Sequence, residues 1–386
     1  MMVTRIEIHN WRNFKEANVA LSDRAFLVGP NASGKSNFLD VFRFLRDIAK
    51  PHGGGLQTAI DMRGGISKIR CLAARMKSDV DVTVILSDGI ENKDEWKYNI
   101  SIAQKKISGK NFAILNKELV TKNGKIILER PEPDDKKDNI LLTQTHLEQI
   151  QANSKFRVIA EFFSSILYMH LVPQLLKHPQ SFKVAEIEGD PYGRSFLERI
   201  AGTPSKTQKA RLMKIEKILK DAVPQLDELT FARDEITGQP HLQAKYRHWR
   251  PKGAWQREDQ FSDGTLRLIA LMWSFLEDDS LLLLEEPELS LHSGIVAMIP
   301  KLLHKIEQGK KKKRQVIIST HDFDLLSDRS ISADEVLVLE PSSEGTTIKQ
   351  AHDIKNIDKF LKSGFSLAEI VIPGTKPTQG SLFDNI

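Results

Sequence analysis

Cysteine is nearly absent. One residue, Cys71, stands in a chain of 386. No intrachain disulfide can form, which excludes a disulfide-stapled scaffold and points to a reducing compartment. Cys71 lies in Ile69-Arg70-Cys71-Leu72 and reads as a small buried hydrophobe. Long apolar runs are missing too. Nothing approaches the roughly 20 residues that a membrane span needs, and the start, Met1-Met2-Val3-Thr4-Arg5-Ile6-Glu7, alternates like a strand rather than a secretion signal. A cytoplasmic protein without a membrane partner is expected. There is no sustained heptad pattern, which excludes a long coiled coil, and no repeat at solenoid spacing. Charged residues are 28% and apolar ones 40% of the chain, the balance of an ordinary globular protein. The net charge of +5 leaves nucleic acid open as a partner without requiring it. The length suits about two to three domains, or one domain with a large insertion.

What is present centres on Gly29-Pro30-Asn31-Ala32-Ser33-Gly34-Lys35-Ser36-Asn37. It fits Gly-x-x-x-x-Gly-Lys-Ser, the phosphate-binding loop. The apolar Ala25–Val28 before it reads as a buried strand, and the apolar spacing from Phe38 to Leu45 reads as a helix running to about Lys50. The glycines let backbone N–H groups curl around phosphate oxygens, and the helix N-terminus adds to that field. Lys35 can reach the terminal phosphates and Ser36 can ligate Mg²⁺. Trp11 and Phe14 could stack near an adenine, but hairpin core is the better reading of both.

Three further segments carry chemistry. Leu281-Leu282-Leu283-Leu284-Glu285-Glu286-Pro287 is a buried strand ending in two acids, the Walker B position. Successive strand side chains point to opposite faces, so the two acids cannot share one job. Glu285 would hold Mg²⁺, directly or through water, and Glu286 would polarise the attacking water. Phe261-Ser262-Asp263-Gly264-Thr265 opens an apolar helix with Ser262 as its N-cap, a second anion site in kind. Val316-Ile317-Ile318-Ser319-Thr320-His321 is a buried strand ending in a histidine.

Between these segments, Val80–Leu86 alternates cleanly. Short strands at Tyr98–Ile102, Phe112–Leu115, Leu119–Thr121 and Ile126–Leu128 complete an antiparallel sheet over 80–130. Residues 131–138 read as an exposed loop, 141–223 as helical with Pro224 ending the last helix, and Leu229–Arg233 with His241–Tyr246 as a strand pair. The expected layout is 1–75 for the first half of a nucleotide-binding core, 76–254 for a middle insertion, 255–345 for the second half, and 346–386 for an extension and tail.

The order of phosphate loop, Ser-x-Gly signature, strand with Glu285-Glu286-Pro287 and Ser-Thr-His resembles the ABC-type AAA ATPases of the RecF, SMC and OLD group. Ile6–Phe14, Arg63-Gly64-Gly65 and Glu285–His292 resemble its compact, defence-associated members. The resemblance covers about 1–75 and 255–340. It implies an α/β fold: a P-loop NTPase, ABC-type ATPase core, a mixed sheet flanked by helices, with a β-rich and helical middle insertion. It also implies an enzyme that hydrolyses ATP with Mg²⁺. Two protomers would sandwich ATP between Gly29–Ser36 of one and Ser262–Gly264 of the other, with Lys35, Glu286 and His321 at the γ-phosphate and Gln57 as the Q-loop residue that senses nucleotide and metal. Asp263 and Thr265 depart from the transporter form of the signature. OLD nucleases carry a Toprim domain after the ATPase; the roughly 65 residues after His321 leave no room for one, so any effector is expected as a separate protein. The biological expectation is a switch in anti-phage defence. The alternatives are a RecF/SMC-like repair ATPase that binds DNA and a non-catalytic, ATP-gated scaffold that holds a toxin; a transporter ATPase suits the sequence least. Lys310-Lys311-Lys312-Lys313-Arg314 and the basic, aromatic Tyr246–Lys252 read as solvated or packed segments, with nucleic-acid contact the competing role. Ser381-Leu382-Phe383-Asp384 in the tail reads as a docking peptide.

Overall fold

Alternation builds the opening hairpin. β1 (Met2–Trp11) and β2 (Phe14–Ala20) pair antiparallel, and Asn10 and Arg12 take positive φ angles at the turn between them. The computed structural model describes residues 1–75, 79–87, 94–107, 110–178, 190–247, 254–277, 280–307 and 313–375. β3 (Arg24–Val28) is buried after its first residue and leads through the phosphate loop into α1 (Lys35–Ala49), close to the expected span. The short helices α2 (Leu56–Asp61) and α3 (Ile66–Ile69) each start after a glycine. Then come β4 (Val80–Ser87), β5 (Glu95–Ile107), β6 (Lys110–Lys122) and β7 (Lys125–Arg130), the antiparallel arm that the alternation predicts. The two expected strands at 112–115 and 119–121 are one strand, β6, whose register on β5 shifts at Ser101/Ile102.

The expected loop at 131–138 is a short helix, α4 (Pro133–Lys137). Its Asp135 is buried and makes a two-point ion pair with Arg130, 2.9 and 2.7 Å. After it come α5 (Arg157–Ser164), β8 (Leu167–Met169), α6 (Pro173–Lys177), α7 (Phe196–Gly202) and α8 (Ser205–Ala222). Leu212, Ile215, Ile218 and Leu219 form the buried face of α8, as their spacing predicts. β9 (Leu226–Arg233), β10 (Pro240–Tyr246) and β11 (Ala254–Arg257) form a three-stranded antiparallel sheet. α9 (Asp263–Glu277), β12 (Leu282–Glu285), α10 (Ser293–Val296), α11 (Ile299–Glu307), β13 (Val316–Thr320), α12 (Phe323–Leu326), β14 (Val336–Ser342) and β15 (Gly345–Gln350) follow.

Contacts divide the chain into two units. The first comprises Met1–Ile166, Gln315–His321 and Ile331–Ile386. It holds the antiparallel sheet β2-β1-β4-β5-β6-β7 and the strands β15-β14-β3-β13, in which β3 runs parallel to both neighbours. Its core is aromatic. Trp11 packs on Phe44 of α1 with ring centroids 5.1 Å apart, and Phe14 meets Phe38 edge-on at 6.3 Å. Burying such a side chain contributes about 1.5–3 kcal/mol. Trp11 and Phe14 are both fully buried, so their role is the hairpin core rather than stacking on a base.

The second unit comprises Leu167–Arg314 and Asp322–Ser330. It holds the β11-β10-β9 sheet, the parallel pair β8 and β12, and α9, most of whose residues from Thr265 to Phe275 are buried. The arm therefore groups with the phosphate loop, and the segments after 167 group with the acidic strand. The expected layout put both in one insertion.

Candidate nucleotide-binding site

The phosphate loop is built from inside the first unit. Ala32 and Gly34 take positive φ values of 62° and 101°. A Cβ on Gly34 would lie 2.0 Å from Asn13 Nδ2, and one on Gly29 would lie 2.8 Å from Leu339 O. Both glycines are thus required by close approach, and Gly34 by backbone shape as well. Lys35 Nζ donates to Gly29 O (2.8 Å) and Pro30 O (3.1 Å), so the ammonium lies over the loop. Pro30, Asn31 and Ser33 complete the turn, and Ser33 N donates to Pro30 O.

Asn13 braces this loop, and sequence reasoning passed over it. Its Nδ2 donates to Ser33 O (2.8 Å) and to Thr346 Oγ1 (2.7 Å), while its Oδ1 accepts from Asn37 Nδ2 (2.8 Å). Thr346 Oγ1 also donates to Ser33 O at 2.9 Å, and Trp11 Nε1 donates to Asn37 O at 3.0 Å. The only hint in the sequence is an Asn in the turn after β1. Its partner Thr346 is more than 300 positions away.

Ser36 and Asn37 also line a pocket of about 400 Å³ with Arg12, Asp40, Arg43, Asp47, Met62 and Arg63. Arg63 explains the Arg63-Gly64-Gly65 motif. From the end of α2 it bonds Asp40 (2.9 Å) and Asp47 (3.0 Å) on α1, lies over the Phe44 ring at 5.4 Å, and precedes two glycines at positive φ. Arg12 reaches the same Asp40 at 2.7 Å. Burial alone would raise the Asp40 carboxyl. The guanidinium of Arg63, then those of Arg12 and Arg43, outweigh it and hold Asp40 below its usual 3.8.

His321 leaves the end of β13. Thr320 is level with Val28 in the parallel register, so His321 and Gly29 emerge at the same end of neighbouring strands. His321 is exposed. Gln57 is placed differently from its expected role. Its Nε2 donates to Ala113 O and Thr143 O, both at 2.8 Å, and its Oε1 accepts from Ala113 N at 3.3 Å. These bonds fasten α2 to the arm, and sensing metal would mean giving them up.

The second unit holds the other predicted residues. Ser262 accepts from Thr265 N at 3.1 Å and so caps α9, as expected. Ser262 is exposed. Gly264 fits a tight place: a Cβ there would meet Ser290 O at 2.9 Å. Asp263 is paired with Lys177 Nζ (2.6 Å) and accepts from Gln174 Nε2 (3.1 Å), both on α6. Arg267, one turn further on, donates to Leu289 O at 2.6 Å and to Leu171 O. Burial lowers its pKa. The bond to Leu289 ties the start of α9 to the turn that follows the two acids.

Glu285 ends β12, and Glu286 lies just beyond it with φ 45°. The Tyr168 phenol donates to Glu285 Oε2. Among the described residues no group of three His, Cys, Asp or Glu is placed to hold a metal. Mg²⁺ takes one or two protein oxygens and fills its shell with phosphate and water. Ser36 and Glu285 are oxygen donors of that kind.

Two other predicted features resolve in part. Arg314 is fully buried, donates to Ser280 O (2.6 Å) and Ser274 O, and belongs to the core rather than to a basic surface. Residues 310–312, 248–252 and 381–384 lie outside the described residues. Among the described residues no helix is long and apolar enough to cross a membrane.

No curated protein matches this chain. Solved structures do. The SMC head bound to the C-terminal winged-helix domain of ScpA superposes with a TM-score of 0.52 at 16% identity, covering 90% of this chain and 97% of that one. An SMC head with an extended coiled coil, bound to the C-terminal domain of ScpA derived from Pyrococcus furiosus, gives 0.50 at 14% identity, covering 93% and 99%. At these identities the likeness establishes the fold, a mixed α/β head of the ABC type. The family described as AAA domain, putative AbiEii toxin, Type IV TA system, matches residues 24–328, which spans the phosphate loop, the α9 signature, both acids and His321, and the chain belongs to that family.

Proposed function

We propose that this protein binds and hydrolyses ATP and works as a dimeric nucleotide switch. The observation that carries the proposal is the braced phosphate loop, with Lys35 lying over it and His321 leaving the sheet at the same end. In this reading the backbone from Gly29 to Ser36 cradles the phosphates. Asn37 and the pocket beside it receive the nucleoside, with Arg12 and Arg43 near the α-phosphate end. A volume of about 400 Å³ suits a ligand of that size. Mg²⁺, when bound, neutralises charge on the phosphate oxygens, with Ser36 and Glu285 as its protein donors. Glu286 orients the attacking water, and Lys35 and His321 stabilise charge at the γ-phosphate. Ser262 and Gly264 are offered to the nucleotide of a second protomer, so hydrolysis depends on dimerisation. Gln57 is left out of the catalytic set because its amide is engaged by the arm.

The family description supports a role in a defence or toxin–antitoxin system; a separate effector protein as the partner and a cytoplasmic setting complete the same reading. The test is ATP turnover against protein concentration. A rate per protomer that rises with concentration and saturates on dimer formation supports the switch. ATP bound tightly without turnover would instead favour the toxin-holding scaffold. DNA binding of the RecF/SMC kind is the second reading, favoured by the SMC-head fold. ATP-dependent retention of DNA, falling steeply with salt, would select it.

A further inference from the structure

We infer that Tyr168 is a positioning residue for Glu285, holding the carboxylate that would bind Mg²⁺. The inference rests on the proposed role of Glu285 and adds a residue to it. β8 and β12 run parallel, with Tyr168 level with Leu283. Side chains two apart on a strand share a face, so Tyr168, Leu283 and Glu285 stand on the same side of the pair. One pleat separates the Tyr168 backbone from Glu285, and a phenol is long enough to cover it. The O–H reaches Glu285 Oε2.

Tyr168 is 6% exposed, and its strand neighbours Leu167 and Met169 are apolar. A buried phenol needs an acceptor, and here that acceptor is an acid of the nucleotide site. The chemistry explains why a tyrosine suits this position. The Walker B metal ligand is ordinarily an aspartate. Glutamate carries one more rotatable bond, so its carboxylate can swing unless something holds it. The phenol donates to one oxygen and so fixes the plane of the carboxylate. Phenylalanine would fill the same space and remove that bond.

The test reads metal-coupled nucleotide binding rather than turnover alone. A non-hydrolysable ATP analogue is titrated with Mg²⁺, and separately with Mn²⁺ followed by its paramagnetic signal. It is done in the wild type, Tyr168→Phe, Glu285→Asp and the double variant. Tyr168→Phe should raise the Mg²⁺ midpoint about tenfold, as expected for a residue that holds a metal ligand, with metal-free nucleotide affinity unchanged and melting temperature lowered by no more than one lost hydrogen bond accounts for. In the Glu285→Asp background the carboxylate no longer reaches the phenol, and the same change should shift the midpoint about twofold or less. A metal midpoint unmoved by Tyr168→Phe, or moved equally in both backgrounds, overturns the inference. So does a loss confined to melting temperature, which marks a purely structural bond. A wild type that binds the analogue with no metal dependence overturns the role of Glu285 itself, and the inference with it.

Discussion

The phosphate loop and the acidic strand end reach fixed geometry by different means. The loop works through backbone N–H groups. Its demands are negative: no Cβ at Gly29 or Gly34, because Leu339 O and the Asn13 amide occupy that space. The acids work through side chains, which rotate, so their order depends on neighbours: Tyr168 on Glu285, and Lys177 and Gln174 on Asp263 of the adjoining signature. A backbone site shows itself in a short motif. A side-chain site shows its reactive residues but not the residues that hold them.

The comparison can be broken first at the acids. Glu286→Gln should lower ATP turnover on the order of 10³-fold, since it removes the group that orients the water. ATP should stay trapped and the dimer should become stable on size-exclusion chromatography with light scattering. Unchanged turnover would remove Glu286 from the mechanism.

The ion-pair cluster beneath the loop comes next. Asp40→Asn leaves the buried Arg63 with one carboxylate fewer and should cost about 3 kcal/mol in denaturant unfolding, in the range for breaking a buried pair. The same carboxylate gives a pH signature. Its folded pKa is depressed, so its contribution is fully present above the unfolded value of 3.8 and is lost as pH falls through the lower folded value. Wild type and Asp40→Asn should therefore converge in stability at strongly acid pH.

The brace is a smaller test. Asn13→Ala should cost about 1–2 kcal/mol, with the Asn37 amide losing its acceptor and Ser33 O one of its donors. Nucleotide affinity should fall while the oligomeric state is kept. Affinity that does not change would show that the loop holds its shape unaided.

Ser262→Ala should have the smallest effect on stability, about 1 kcal/mol for a lost N-cap. Its effect on turnover is the informative part. A rate loss larger than the stability loss, rescued by mixing with a Lys35→Ala protomer that keeps Ser262, would support a site shared between subunits. Loss of stability alone would make Ser262 a plain cap.

Elements with strong local periodicity were legible. The alternation at 80–86 gives β4, the apolar spacing at 212–219 gives the face of α8, and Pro224 lies just beyond the end of that helix. Two elements were not legible, for physical reasons. β8 is three residues long and apolar, so no period distinguishes it from the tail of the preceding helix, and only pairing with β12 makes it a strand. α4 lies in a polar, proline-bearing stretch that reads as solvent-exposed. It is ordered because Arg130, buried in the sheet, needs the Asp135 carboxylate. The reversed reading of Gln57 has the same origin. A glutamine after a glycine run suits a sensor loop, but the backbone of Ala113 on β6 and of Thr143 engages its amide in three hydrogen bonds.

By itself the sequence determined the candidate inventory for the proposed site: Gly29 to Ser36, Ser262 and Gly264, Glu285 and Glu286, and His321. Each depends on residue type within a few positions, which short-range spacing records. Only the tertiary structure decided what supports them. Thr346 bonds Asn13 across 333 positions, Arg63 gathers Asp40 and Asp47, and Tyr168 meets Glu285 across 117. Such pairs are fixed by strand order and register, and neither is written in local periodicity.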